Sequence, residues 1–338
     1  MISKNPLVSI ITPCLNGEKY VHRFLDSILR QTYDNIELIF VNDGSTDKTE
    51  EIVLSYDKKF KDKGVVFKYI YQENKGLAGA INTGLAIFSG DYLCWPDSDD
   101  YLEDESIEKR VAILEKTPDY AVVTSDAYVR HIDDLNNPVG IISKHTYNNY
   151  SENQFELLLK GKSIFCAGCH MVRANKFLEA YPERQIFEAK RGQNWQMLLP
   201  LYYKYKRYFL NEPLYNYMIY HASMSRDDDT EDKKLFRCKE HEEILINTIQ
   251  AIDMSEEEKN KYIQLVENNY NRKRLYIAFD HDNQQLIEKQ YSLLRKSGSL
   301  TMTDKIKFAA GKYRIMRVLL SPLIRQKRKW IAIKGDHR

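Results

Sequence analysis

The segment Trp95-Pro96-Asp97-Ser98-Asp99-Asp100 holds the residues best suited to chemistry in this chain. It places three carboxylates within four positions, directly after a short apolar run. Carboxylates this close repel one another unless a cation or a proton lies among them. In an extended chain Asp97 and Asp99 would point to the same side, as a partial ligand set for a hard divalent ion completed by water and a substrate diphosphate. The alternative is a polar turn whose Asp residues cap the next helix.

Apolar, β-branched runs alternate with helical patterns through the first 126 residues. They predict strands at 7–13, 36–41, 65–71, 92–95 and 122–124, with helices between them, the first at 18–31. This alternation predicts an α/β fold, with a mostly parallel sheet covered by helices on both faces. Such sheets bind ligands at the carboxyl ends of their strands. The polar residues that follow the strands all fall at that edge: Asn16, Asp43, Asn74, Asp97 and Asp99.

From residue 7 to about 226 the chain resembles a family 2 glycosyltransferase of the GT-A type, as found in bacterial polysaccharide synthesis. The matching motifs, in order, are Val8 to Pro13, Ser27 to Tyr33, Asp43 to Asp47, Glu73 to Gly76, and Asp97 to Asp100. Further matches lie at Asn211 to Tyr215 and His221 to Ser225. The resemblance implies a Rossmann-like catalytic domain over 1–226, with a nucleotide half (about 1–126) and an acceptor half (about 127–226). A helical C-terminal region with a basic tail would follow over 227–338.

The resemblance also implies the reaction. An inverting enzyme would move a hexose or N-acetylhexosamine from a nucleotide sugar, most simply UDP-linked, to a saccharide or polyprenol-linked saccharide acceptor. Asp43 would bond the uracil, and Asp97 and Asp99 would hold the ribose and a Mn²⁺ or Mg²⁺ ion that neutralises the leaving diphosphate. His221 is a further candidate ligand of metal or phosphate, or a structural histidine in a polar loop. The nucleotide-binding residues implied are Pro13, Asn16, Asp43, Lys75, Asp97 and Ser98.

The catalytic base is where this chain departs from the family. Many relatives have a Glu-Asp pair before a tryptophan, and that Asp is the base; here the amides Gln193 and Asn194 precede Trp195. Amides can hydrogen-bond a sugar hydroxyl but cannot take its proton, so we assign these three residues to the acceptor. Trp195 would stack on the sugar or fill the core. The base is then expected to be Glu188, whose alternative is an exposed loop residue, or Asp100 beside the metal pair.

Composition narrows the class of protein. The 338 residues suffice for one large or two modest domains, and the net charge of +2 argues against a general nucleic-acid binder. Five cysteines, an odd number, suit a reducing cytoplasm better than a disulfide framework. There is no secretory signal pattern, and no apolar run approaches the roughly 20 residues of a membrane span. We therefore expect a cytoplasmic protein.

The C-terminal end has a different composition. Its last 38 residues contain 11 Lys or Arg against two Asp, in an amphipathic stretch from Lys305 to Leu320 and a cluster from Arg325 to Trp330. This composition is typical of a helix lying on an anionic membrane surface, and would place the protein peripherally on the inner face of the cell membrane. The alternatives are a solvated basic tail, a helix packed on the catalytic domain, or a protein-binding segment.

Two other functions fit parts of the pattern. A sugar-nucleotide nucleotidyltransferase shares the sheet type, but such enzymes typically have a Gly-rich, Arg-containing loop after the first strand, and residues 13–18 do not match it. A catalytically inactive sugar-binding protein is suggested by the missing acidic pair. The products separate the three cases: the transferase releases UDP, the nucleotidyltransferase releases pyrophosphate, and the binding protein releases neither.

Overall fold

The computed structural model describes residues 5–220 and 229–312. The chain divides between His221 and Ala222 into two compact units. The first unit is built on one sheet, whose strands are β1 (Val8–Cys14), β2 (Ile36–Asn42), β3 (Val66–Tyr71), β4 (Tyr92–Cys94), β5 (Tyr101–Leu102), β6 (Tyr120–His131), β7 (Gly140–Ile141), β8 (His170–Arg173) and β9 (Lys206–Ile219).

Helices accompany these strands along the chain. They are α1 (Val21–Leu29), α2 (Thr49–Leu54), α3 (Asp57–Lys63), α4 (Gly76–Ile87), α5 (Ser106–Lys116), α6 (Phe155–Leu159), α7 (Ala174–Ala180) and α8 (Gln193–Lys204), with short 3₁₀ turns at Ile142–His145 and Ala167–Cys169. The predicted α/β alternation is therefore confirmed through β6. That strand is longer than the predicted 122–124 and runs through Asp126.

The sheet has the strand order β3-β2-β1-β4-β8-β6-β9-β5, with β7 added to β6. The first four strands in this order are mutually parallel, because helical connections cross between them. Strand β8 then enters antiparallel to both β4 and β6, whereas β6 and β9 are parallel. The α/β class with flanking helices is confirmed, and the sheet is mixed, because β5, β7 and β8 run against the direction of the other strands.

Alternating residues of β1 pack against helices on opposite faces of the sheet. Ile10 belongs to the same buried cluster as Phe24 and Leu25 of α1. Ile11 faces α4, where a Cβ added at Gly84 would lie 2.4 Å from its Cγ2 atom. Only glycine at position 84 allows this close approach of helix and strand. All seven residues of β1 are buried, as expected for a central strand covered on both faces.

The second unit is helical, as predicted, and contains α9 (Glu231–Ala251), α10 (Glu256–Asp280), α11 (Gln284–Lys296) and α12 (Met302–Lys312). Helix α12 covers the start of the predicted membrane-binding tail, yet it packs within this unit. Its Phe308 ring stacks on Tyr291 at 3.8 Å, and its buried Asp304 accepts a hydrogen bond from Arg272 Nε at 3.0 Å. The rest of the tail lies outside the described residues. In the ranges 5–220 and 229–312, no helix has both the length and the apolar character of a membrane span.

A buried carboxylate ties together four segments at the amino-terminal edge of the parallel strands. Glu37 of β2 is 1% exposed and accepts hydrogen bonds from Ser9 Oγ at 2.5 Å, Lys68 Nζ at 2.5 Å and Ser89 Oγ at 2.8 Å. Burial alone would raise the pKa of Glu37, but the bonds from Lys68, Ser9 and Ser89 together lower it below its ordinary value. The ionised form is therefore the one that stabilises the fold.

We expect Glu37→Gln to lower the free energy of unfolding at neutral pH by about 1–3 kcal/mol, because charge-assisted bonds to a buried group are lost. The folded pKa lies below the unfolded one, so the contribution is fully present above the unfolded pKa and disappears as the pH falls through the folded pKa. Urea unfolding at neutral pH and at acidic pH measures both effects. The exposed Glu51→Gln serves as control; equal curves for the two variants at neutral pH would refute the role of Glu37.

Candidate active site

The first two strand-to-helix loops are locked to each other. Asn16 adopts a left-handed backbone conformation with φ 54°, its N–H donates to Ser45 Oγ at 2.9 Å, and its Oδ1 accepts from Thr46 N at 2.9 Å. Pro13 lies buried in β1, beside Val41 of β2. The structure therefore gives Asn16 a role in shaping the loop, and its predicted contact to the nucleotide would come through groups that these bonds leave open.

Asp43 lies at the carboxyl end of β2 and is only 4% exposed. Its Oδ1 accepts from Gln72 Nε2 at 2.6 Å and from the backbone N–H of Lys75 at 2.9 Å. The adjacent Gly44 has φ 81°, and a Cβ there would come within 2.9 Å of the backbone nitrogen of Asn74. Oδ2 of Asp43 accepts no hydrogen bond from a residue in the described ranges. The carboxylate is thus held rigidly by one oxygen, while the side chain of Lys75 is exposed nearby.

The acidic segment after β4 is a turn rather than an extended strand, because Ser98 and Asp99 have turn geometry. The expected alternation of side chains along an extended chain is therefore wrong here. Asp97 and Asp99 are both half-buried and lie close enough to interact. Burial, and to a smaller extent the charge of Asp99, raises the pKa of Asp97 to about 7. The Ser98 hydroxyl is hydrogen-bonded to the thiol of Cys14 at the end of β1. The turn brings the two carboxylates together through the backbone and fastens them to β1.

The Asp97–Asp99 pair fits the divalent ion that the sequence predicts. A hard cation prefers oxygen ligands, and burial together with the charge of Asp99 disfavours the ionised form of Asp97 when no cation is near. Within residues 5–220 and 229–312, no three His, Cys, Asp or Glu side chains are arranged to hold a metal on their own. Asp97 and Asp99 therefore fit as two ligands of an ion whose other ligands would be water and the diphosphate of the substrate. His221, the other predicted ligand, lies outside the described residues.

Asp100 differs from its two neighbours because it is enclosed. It is 2% exposed, and its Oδ1 accepts from the backbone N–H of Met218 in β9 at 2.8 Å. Its Oδ2 is buried without a hydrogen-bond partner. Burial, and then the charges of Asp99, Cys166 and Asp97, raise the pKa of Asp100 well above its usual range. Asp100 joins the acidic turn to β9, and a solvent-borne hydroxyl has no direct access to it.

Two residues of the site were missed by the sequence analysis. Tyr220 Oη donates to the backbone carbonyl of Asp99 at 2.6 Å, and Arg23 Nη2 of α1 donates to Tyr220 Oη at 2.5 Å. Burial raises the pKa of Asp99, while a backbone hydrogen bond and the Arg23 charge oppose that rise. Arg23 looked like an ordinary polar position of an amphipathic helix, so no sequence signal marked it.

The start of α8 lies beside this edge of the sheet, where Asn194 contacts Trp95 just after β4. Gly192, with φ 79°, precedes Gln193 and Asn194, which are both buried. Asn194 uses both ends of its amide within the protein, since Oδ1 accepts from Trp95 Nε1 at 2.8 Å and Nδ2 donates to the Phe165 carbonyl at 2.7 Å. These two hydrogen bonds explain why Asn194 is buried. They leave no amide group of Asn194 open for the predicted contact to the acceptor, so Gln193 and Trp195 remain the candidates for that contact. Trp195 is half-buried.

Glu188 is exposed on a segment that lies against the start of α4. The Ala189 carbonyl accepts from Ala78 N at 3.3 Å, and Asn82 exchanges two hydrogen bonds with the backbone of Ile186. The segment is therefore fixed next to the loop that carries Lys75. This position is compatible with both interpretations of Glu188, as the catalytic base or as an exposed loop residue.

Comparison with known protein families identifies the family of this chain. The model of "Glycosyl transferase family 2" matches residues 9–181, which is more than half of the chain. The chain belongs to this family. The predicted family, the GT-A fold and a transferase are thereby confirmed.

Known proteins of this family show how far the similarity extends. Glycosyltransferase GlyA of Streptococcus pneumoniae is 34% identical over 233 residues, which cover 65% of this chain and 31% of GlyA. The chain spans about a third of the length of the first curated relatives that it matches. Two solved structures share the fold: S. aureus TarS 1-349 in complex with UDP-GlcNAc, and the mannosyltransferase PcManGT from Pyrobaculum calidifontis in complex with GDP-Man and Mn²⁺. Their TM-scores are 0.59 and 0.55, at 17% and 16% identity, and they cover 96% and 94% of this chain and 87% and 84% of their own.

Proposed function

We propose that this family 2 glycosyltransferase transfers a hexose or N-acetylhexosamine, with inversion, from a UDP-linked donor to a saccharide or lipid-linked saccharide in surface polysaccharide synthesis. The observation that carries the proposal is the arrangement at the carboxyl ends of β1 to β4. Asp43, with one carboxylate oxygen left open, shares this edge with the Asp97–Asp99 pair. A nucleoside diphosphate would be bound by Asp43 at its nucleobase and by the Asp97–Asp99 pair, through a cation, at its diphosphate. Peripheral membrane attachment through residues 313–338 stays a prediction from the sequence.

The residues divide the work as follows. Asp43 accepts a hydrogen bond from the uracil N–H, and Asp97 binds the ribose. Asp97 and Asp99 would hold the Mn²⁺ or Mg²⁺ ion, which when bound neutralises negative charge on the diphosphate. Lys75 reaches the same phosphates from the start of α4. The acceptor hydroxyl attacks from the opposite side of the sugar, so the base that takes its proton must lie on the acceptor side.

A donor screen tests the activity. The full chain is incubated with UDP-, GDP- and dTDP-linked sugars and Mn²⁺, and free nucleoside diphosphate and pyrophosphate are measured separately. We expect release of UDP. Pyrophosphate would indicate nucleotidyl transfer, and no release from any donor would favour the inactive sugar-binding protein that the amides at 193 and 194 suggest.

For the acidic pair, we expect Asp99→Asn to lower UDP release by about a hundredfold or more, because preorganised charge stabilisation of the leaving group is lost. Chelation of the divalent ion in the parent should have a similar effect. The control is Asp62→Asn, which removes an exposed carboxylate on α3. Full turnover in Asp99→Asn, or in the parent with chelator, would remove the metal from the proposal.

For the uracil contact, we expect Asp43→Asn to weaken UDP binding about tenfold to a hundredfold, since a mismatched buried polar pair costs about 1–3 kcal/mol. The amide still accepts from Lys75 N through Oδ1, so the loop should keep its shape. Calorimetry with UDP and CDP measures the effect, because cytosine lacks the N–H at ring position 3. The parent should prefer UDP and the variant should not; an unchanged preference would contradict the assignment.

For the base, the structure favours Glu188 over Asp100, because Glu188 is exposed whereas both oxygens of Asp100 are enclosed. We expect Glu188→Gln to lower the rate of transfer by about a hundredfold to ten-thousandfold with UDP affinity unchanged. Glu183→Gln, an exposed carboxylate in the same segment, is the matched control. Normal turnover in Glu188→Gln together with loss in Asp100→Asn would move the role to Asp100.

A further inference from the structure

Asp43 is held by a buried amide, Gln72, which directly follows β3. The backbone N–H of Gln72 donates to the Asn42 carbonyl at 3.0 Å, and its side-chain Nε2 donates to Asp43 Oδ1 at 2.6 Å. Gln72 is 9% exposed and Asp43 is 4% exposed. Both the backbone and the side chain of Gln72 are therefore bonded to the carboxyl end of β2, and they fix the direction of the Asp43 carboxylate.

The orientation of the Gln72 amide follows from what its partners can donate and accept. An ionised carboxylate only accepts, so the amide nitrogen faces Asp43 and the amide oxygen points away from it. There Oε1 of Gln72 accepts from the hydroxyl of Thr83 on α4. An amide oxygen cannot donate, so Thr83 supplies the proton of that bond. The hydrogen bonds run in one direction, from Thr83 through Gln72 to Asp43.

This chain of hydrogen bonds leaves Asp43 with one open carboxylate oxygen. Each carboxylate oxygen can accept about two hydrogen bonds. Oδ1 already accepts two, from Gln72 Nε2 and from the backbone N–H of Lys75 at 2.9 Å. Oδ2 accepts none from the residues at 5–220 and 229–312. A ligand can therefore donate to Asp43 through a single oxygen, whereas an unbonded carboxylate offers two oxygens side by side.

The nucleobases of sugar nucleotides differ in the number of neighbouring N–H donors that they present. Uracil and thymine have one, the ring N3–H, which lies between two carbonyl groups. Guanine has two side by side, the ring N1–H and the exocyclic amine, and a carboxylate binds such a pair best with both oxygens. At Asp43 one of the two guanine donors would face an oxygen that is already filled, and an unpaired donor weakens binding. The single open oxygen therefore favours uracil or thymine.

We propose that Gln72, held by Thr83, is the positioning residue that sets nucleobase specificity, restricting the donor to a nucleoside diphosphate whose base presents a single N–H, uracil or thymine, and disfavouring guanine. The inference rests on the proposed function for the contact between Asp43 and the base. It deepens that function, because Asp43 with both oxygens open could serve either class of base.

Nucleotide binding tests this role without any transfer reaction. The full chain, with Mn²⁺ present, is titrated by calorimetry with UDP, GDP and inosine 5′-diphosphate (IDP), whose base has the N1–H of guanine but lacks the exocyclic amine. We expect the parent to bind UDP about tenfold more tightly than GDP, and to bind GDP and IDP within about twofold of each other, because Oδ1 cannot accept the second donor. The ratio of GDP to IDP affinity is independent of the size difference between purines and pyrimidines.

Gln72→Met keeps the approximate volume of the side chain and opens one acceptor position on Oδ1, while the bond from Lys75 remains. We expect UDP to bind about threefold to tenfold more weakly, because Asp43 is held by one bond fewer. GDP should now bind about threefold to tenfold more tightly than IDP, because the exocyclic amine gains an acceptor. The control is Gln250→Met, the same replacement at an exposed position of α9, which should leave all three affinities unchanged.

Thr83→Val removes only the hydroxyl and tests whether the three side chains act in series. The Gln72 amide can then turn its oxygen toward Asp43, so we expect changes in the same direction but smaller. The double variant should bind as Gln72→Met does, because without the amide Thr83 has no connection to Asp43. A purely structural role would lower the melting temperature and all three affinities together without changing the GDP-to-IDP ratio, and would overturn the proposal.

The outcomes separate this inference from the proposed function. Folded Gln72→Met and Thr83→Val proteins with the affinity ratios of the parent would overturn the inference and leave the proposed function standing. If Gln72→Met does not fold, the GDP-to-IDP ratio of Thr83→Val decides the question. A parent that binds GDP as tightly as UDP would also overturn the inference, and a parent that binds none of the three nucleotides would overturn the proposed function with it.

Discussion

Repulsion among the carboxylates after β4 is the constraint on which the rest of the site depends. Three negative groups in four positions oppose burial, yet the fold encloses Asp100 and half-buries the other two. Each is managed differently. Asp100 accepts a hydrogen bond from a backbone N–H of β9, Asp99 lies near the Arg23 guanidinium, and the Asp97–Asp99 pair stays half-buried. Under the proposed function, a cation bound with the donor would relieve the remaining repulsion, and this relief would add to the affinity for the donor.

Hydrogen bonds within the protein also fix the orientation of two other polar side chains of the site, Asp43 and Asn194. Asp43 commits one oxygen to Gln72 and Lys75 and leaves the other open, so its direction is set before any ligand arrives. Preorganisation of this kind avoids reorientation during binding or reaction. Asn194 goes further and commits its whole amide to Trp95 and Phe165. Asp43 therefore keeps one carboxylate oxygen open, whereas the Asn194 amide is used entirely within the protein.

In the described part of the first unit, six of the nine strands of the sheet run in the same direction. Parallel strands deliver all their loops to one edge, which is where the donor-side acids collect. Strand β9 runs in the same direction as β4, because β8 is antiparallel to both β4 and β6 and β9 is parallel to β6, so the end of β9 reaches the same edge. Met218 and Tyr220 at the end of β9 can then contact the acidic turn, although they lie far along the chain. The proposed donor and acceptor sides therefore meet at the acidic turn.

The sequence alone determined the elements whose signals are local. Apolar runs and helical periodicity placed the first strands and helices, and the motif order identified the family and its acidic residues. It left open whether Asp97 to Asp100 form an extended segment or a turn, because short polar segments carry no periodicity. It also could not assign Asn194, Asp100 or Arg23, whose roles come from partners distant in sequence: Trp95 and Asn194 are 99 residues apart, Asp100 and Met218 118, and Arg23 and Tyr220 197. Residue type states what a group can donate or accept, whereas only the packed chain decides which partner fills that capacity and which oxygen remains open.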